Sequence, residues 1–201
     1  MKTITLLLTT AALLSACSKG DNEAVSTDST ASVAPLATET PAASATPAAP
    51  AVTDPQIAAI VVAANDADIA GGRLAASTSK NSKVKEFAQR MITDHSGVNK
   101  AAVALVTKLN VKPEESEVSR QQTDKGAQVR ESLKGKTGAD FDRAYIASEI
   151  TYHVDLLGAI DTVLIPSSQN AELKALLEQT RPAVEAHLKH ARELEASLGQ
   201  G

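Results

Sequence analysis

Apolar residues recur along most of this chain at helical rather than strand spacing. The first stripe begins near Asp54-Pro55, read as a cap followed by proline, and runs Ile57, Val61, Ala64, Asp68, Gly71/Gly72 and Ala75. The second begins near Ser82 and gives the clearest seam: Val84, Phe87, Met91, His95, Val98, Ala102, Leu105 and Leu109, ended by Asn110 and Pro113. A polar stretch, Lys112 to Gly138, carries one weak helical segment around Val118 to Leu133, read as a short surface helix in a long connection. Thr137 or Asp140 caps a third stripe of Phe141, Tyr145, Glu149, Tyr152/His153, Leu156, Ile160 and Val163. After a turn at Pro166-Ser168 comes the fourth: Leu173, Leu177, Thr180, Val184, His187/Leu188, Ala191, Leu194 and Leu198, with Pro182 inside it to bend it locally. Four such helices predict an all-α, up-down-up-down four-helix bundle over residues 54–201.

The beginning of the chain is different material. Lys2 precedes an apolar stretch, Ile4 to Leu14, too short to span a bilayer, and Leu14-Ser15-Ala16-Cys17 follows. This resembles the lipobox of bacterial lipoproteins. The resemblance implies a signal peptide over residues 1–16 and lipid on Cys17. With Ser18 after the cysteine, it implies an outer-membrane lipoprotein facing the periplasm, or one on the cytoplasmic membrane in a host with a single membrane. Residues 17–53 are rich in Ala, Thr, Ser and Pro and have little to bury, so they read as a disordered tether.

Composition narrows the function. A lone cysteine that carries lipid leaves no disulfide and no cysteine metal site. A net charge of −4 and only four aromatic residues, Phe87, Phe141, Tyr145 and Tyr152, disfavour nucleic-acid binding. Hydrolase signatures such as Gly-x-Ser-x-Gly, or a phosphate-binding glycine loop, are missing. Gly71-Gly72, in mid-helix, is read as a place of close helix packing.

The metal-capable side chains fall on the stripes, one from each helix: Asp68, His95, His153 and His187. If the turns near Asn81 and Ser167 share one end of the bundle, Asp68, His95 and His153 lie within about one helical step of each other. His187 then lies about 6 to 9 Å too far along, unless Pro182 or unwound residues after Ser167 close the gap. Glu149, one turn before His153, is the alternative oxygen ligand. Such a set suits Zn, Fe, Cu or Mn. Tyr145 and Tyr152 are candidates to hydrogen-bond the ligands. Asp94 points about 100° away from His95 and reads as a solvated or inter-helix partner rather than a ligand, and His190 as exposed.

Phe87-Ala88-x-x-Met91-Ile92-x-Asp94-His95-Ser96, Phe141-Asp142-x-x-Tyr145, His153, and Pro182 with His187-Leu188 together resemble the bacterial domain of unknown function 4142 family. That resemblance implies a ferritin-like bundle and an exported location, and lends no reaction. Asp68 stands where the family more often has glutamate. The Glu-x-x-His pattern of di-iron proteins is broken, since Ile92 and Val184 stand three residues before His95 and His187. The expectation is therefore a non-catalytic, lipid-anchored metal-binding bundle concerned with envelope stress or metal handling, with an envelope protein as a partner and the oligomeric state open. A ferritin-like metal-dependent oxidoreductase and a structural protein with a buried histidine network are the alternatives.

Overall fold

The computed structural model describes residues 52–199. The expected signal peptide, Cys17 and nearly all of the expected tether lie outside them. Five long helices account for the described residues: α1 Asp54–Thr78, α2 Ser82–Lys108, α3 Glu117–Leu133, α4 Gly138–Ala159 and α5 Ala171–Leu198. Among the described residues there is no strand, and no helix is long and apolar enough to cross a membrane.

Local chemistry sets the helix ends. Thr53, not Asp54, is the N-cap of α1: its hydroxyl accepts from the Gln56 N–H, and Gln56 reaches back to the Thr53 N–H. Asp54 is thereby free to accept from the backbone N–H groups of Gln169 and Asn170, each at 2.9 Å, tying the start of α1 to the start of α5. Asn81 and Asn170 cap α2 and α5. Thr137 occupies the N-cap position of α4 without a side-chain bond. Pro166 and Ser167 do not form the expected turn. Helix α4 continues through a π-helical stretch, Ile160–Leu164, and a last α turn, Ile165–Ser167. The turn is Ser168 to Asn170. Helix α5 runs unbroken past Pro182.

Two apolar layers build the core. One gathers Ala75, Val84, Phe87, Met91, Leu133, Phe141, Tyr145 and Leu194. The other gathers Ile57, Ile60, Ala102, Ile160, Leu164, Leu173, Leu177 and Val184. Because α1 runs from the second layer to the first, α2 runs back, α3 runs up again, α4 down and α5 up. Alternation therefore passes through five helices, and the four long ones that enclose the core run up-down-down-up. The expected up-down-up-down order is corrected, because α3 makes a full pass along α1 instead of decorating the surface. Gly126 permits that pass: a Cβ there would sit 2.5 Å from the Cβ of Ala67. Gly72 does the same between α1 and α2, where a Cβ would meet the Ala88 carbonyl oxygen at 3.0 Å.

Directions also explain the depth of His187. The Asn81 turn lies at one end of the bundle and the Ser168 turn at the other, beside Asp54. Counted from these joined ends, His187 is 16 residues beyond Ala171 and Asp68 is 14 beyond Asp54. They are level to within about one residue pair of rise, some 3 Å.

Candidate metal centre

Between the two apolar layers lies a buried polar cluster made by four helices: Asn65 and Asp68 from α1, His95 from α2, Glu149 and His153 from α4, and His187 from α5. Side chains three or four residues apart share a helix face, which places Asn65 with Asp68 and Glu149 with His153. The imidazole centroids of His95, His153 and His187 are 5.3 to 5.7 Å apart.

Each imidazole has one ring nitrogen occupied by an acceptor. His95 Nδ1 is 2.7 Å from Asn65 Oδ1, and the Asn65 amide nitrogen donates to the Val61 carbonyl, which leaves its oxygen to accept from His95. His153 Nδ1 donates to the Glu149 carbonyl at 2.9 Å. His187 Nε2 donates to Asp94 Oδ2 at 2.8 Å. These bonds fix the tautomers, so His95 Nε2, His153 Nε2 and His187 Nδ1 carry lone pairs. All three of those atoms are buried and have no hydrogen-bond partner, as do both oxygens of Asp68 and Oε2 of Glu149.

Asp68 Oδ2 lies 3.1 Å from His95 Nε2 and 3.6 Å from His153 Nε2. Two bonds of 2.0 to 2.1 Å at a tetrahedral angle separate ligand atoms by about 3.3 Å, so these spacings are those of ligands sharing one ion. The three histidines offer ligand atoms within 4.8 Å of one another, and so do Asp68, Glu149 and His153. Either group could hold a metal ion. All four stripe residues and Glu149 are thus brought together, and Glu149 faces Asp68 and His153 rather than His187.

Burial sets the protonation. It pushes the Asp68 carboxyl up to about 7. Glu149 is raised well above the carboxylate range by burial and then by Asp68. His95 is lowered to about 3, by burial first and then by His153 and His187. His153 is lowered to about 4 by burial, against the Glu149 carbonyl, which favours its proton. His187 is lowered by burial, opposed by Asp94. At neutral pH the imidazoles are therefore uncharged, the state in which they bind metals.

The tyrosines stand one step back. Tyr152 donates to the Ala64 carbonyl at 2.8 Å rather than to a ligand, and the buried Tyr145 lies beside Glu149. Asp94, read as solvated or as an inter-helix partner, is exposed and accepts from His187 across the helices. Asn65 was missed, although its place three residues before Asp68 is the signal that could have found it. His190 is partly buried, with its ring edge on Phe87 at 5.3 Å. Beside Asp68, Glu149 and Tyr152, under Gly71 and Gly126, is a cavity of about 20 Å³, room for one water.

The family model described as Domain of unknown function (DUF4142) matches residues 38–194, most of the chain and every residue of this cluster. The chain belongs to the DUF4142 family. No curated protein and no solved structure matches it. The DUF4142 assignment carries no function and leaves the chemistry of the cluster to be read from its geometry.

Proposed function

We propose that this protein binds one transition-metal ion through His95 Nε2, His153 Nε2, His187 Nδ1 and Asp68, in a non-catalytic metal-handling role in the cell envelope. One observation carries the reading. Three neutral imidazoles, each with one nitrogen tied to an acceptor and the other buried without a partner, offer ligand atoms within 4.8 Å of one another, and two of them lie beside the Asp68 carboxylate. A structural histidine network would pair donors with acceptors. Here a protonated Asp68 serves His95 at 3.1 Å and leaves His153 Nε2 and His187 Nδ1 without a donor. Each unpaired buried group costs about 1–3 kcal/mol, and a cation removes that cost from all of them together. Three nitrogens and an oxygen suit Zn, Fe, Cu or Mn. Glu149 remains protonated beside the site and holds solvent in the adjoining cavity.

Elemental analysis of the full-length chain tests the reading, beside a His95→Ala/His153→Ala variant. One ion per chain that is absent from the variant supports it. No ion in either after reconstitution refutes it and leaves the histidines a structural role. If the bound ion supports metal-dependent consumption of oxygen or peroxide, the oxidoreductase reading replaces the non-catalytic one.

The lipobox resemblance supports the remaining part of the proposal: Cys17 carries lipid and holds the bundle at the periplasmic face of the outer membrane, on a tether long enough to reach an envelope partner. Labelled palmitate should enter the wild-type chain and not Cys17→Ser. Equal labelling, or none in either, refutes the anchor.

A further inference from the structure

The ligands are buried to different depths, and the order of their exposure draws a path. The side chains of Asp68 and His153 are 0 % exposed, His95 2 %, His187 5 %, and Asp94, bonded to His187, 42 %. Exposure thus rises across the joint between α2 and α5, where a groove of about 400 Å³ opens on the surface with Asp94, His95, Gly97, Ala101, Ala183 and His187 among its walls. The joints of α1 with α2 and with α3 are tighter. Gly72 closes α1 on α2 and Gly126 closes α3 on α1, with no space for even one added carbon, whereas a Cβ on Gly97 would meet nothing within 4 Å. Helices α2 and α5 also pack together less extensively than α1 with α2 or α4 with α5.

A gap between small residues is not by itself a site. Here it leads to two ring nitrogens, on His95 and His187, that are buried and without a partner. The outermost group is a carboxylate that attracts a hydrated cation before any imidazole is reached. Resting on the metal reading above, the geometry points to the α2–α5 groove as the port by which a divalent transition-metal ion enters and leaves. Asp94 receives the hydrated ion, His187 is the first imidazole to replace a water, and His95, Asp68 and His153 complete the shell inside. No bond is made or broken other than the exchange of water for protein ligands.

Gly97 gives a clean obstruction. Gly97→Leu fills the mouth of the groove while favouring the helix, since leucine is a better helix former than glycine. Gly158→Leu is the matched control, because Gly158 is a helical glycine on α4 with equally open space above it. The probe is Co²⁺ with the full-length chain. Uptake is followed by its absorption in stopped flow, and release by transfer to excess chelator. A port changes both rates together, so Gly97→Leu is expected to slow uptake and release by about tenfold or more, with affinity held within about threefold and Gly158→Leu behaving as wild type. Gly97→Leu rates within about twofold of wild type, or equal slowing by Gly158→Leu, overturn the port while leaving the metal site standing. A wild-type chain that takes up no Co²⁺ overturns both, and is told apart by that result alone.

Discussion

Replacing Asp68 by asparagine separates the cost of a buried carboxyl from its use as a ligand. Asparagine keeps the volume and cannot ionise. The native carboxyl is raised to about 7 against an ordinary value of 3.8. Between those values the folded chain holds a proton that the unfolded chain has lost, so this residue makes stability fall as pH rises through the window and stay reduced above it. At 1.36 kcal/mol per unit, the metal-free wild type carries a penalty of about 2 kcal/mol at pH 5 and about 4 kcal/mol at pH 8. Asp68→Asn carries none, and its amide can donate to His95 Nε2 across the present 3.1 Å. Urea unfolding of the metal-free chains should therefore show the variant gaining about 2–3 kcal/mol on wild type between pH 5 and pH 8, with a melting point higher by about 8–16 °C at pH 8. Added metal should then raise the melting point of the wild type more than that of the variant, which keeps the three histidines and loses the carboxylate. A variant less stable than wild type at pH 8 refutes the buried acid, and one that gains as much from metal as the wild type refutes its role as a ligand.

Metal uptake should also release protons from Asp68 and not from the histidines, which are already neutral. In weak buffer about one proton per ion appears at pH 6 and almost none at pH 8, whereas two or more at pH 6 would mean that the imidazoles were charged. Asp94→Ala removes the acceptor that fixes the His187 tautomer and should weaken affinity about 10- to 100-fold in a competition titration, while the fold stays intact because Asp94 is exposed. Gly126→Leu forces α3 away from Ala67 and should cost about 1–3 kcal/mol in urea unfolding; an unchanged midpoint would show that α3 is not packed there. Arg181→Ala breaks a bidentate pair with Asp161, at 2.7 and 2.9 Å, that is exposed to solvent, and should leave the urea midpoint nearly unchanged by the same assay.

Periodicity made the four long helices legible, along with the side chains that enter the core, because an apolar stripe interrupted by a histidine or aspartate marks a polar group facing inward. The stripe of α2 placed His95 correctly for this reason. Helix direction was not legible. The polar stretch before Gly138 has no stripe of its own, and its pass along α1 depends on Gly126 meeting Ala67, a steric fit with no sequence period. Reading that stretch as a surface connection reversed α4 and α5 and created a depth gap for His187 that the folded chain does not have. Local capping was read one residue late at α1, where the Thr53–Gln56 box outcompetes Asp54 and releases it to hold the turn before α5. Ligand candidates could be found one by one, but their tautomers could not. Those depend on Asn65, a backbone carbonyl and Asp94, atoms whose meeting is a property of the assembled bundle.

Anomalous diffraction at the absorption edge of the reconstituted ion, from crystals of the full-length chain, tests the central claim most directly. One peak between the four helices, about 2.0–2.2 Å from His95 Nε2, His153 Nε2, His187 Nδ1 and an Asp68 oxygen, is the predicted result. An ordered cluster without a peak, or a peak held elsewhere on the molecule, would contradict it.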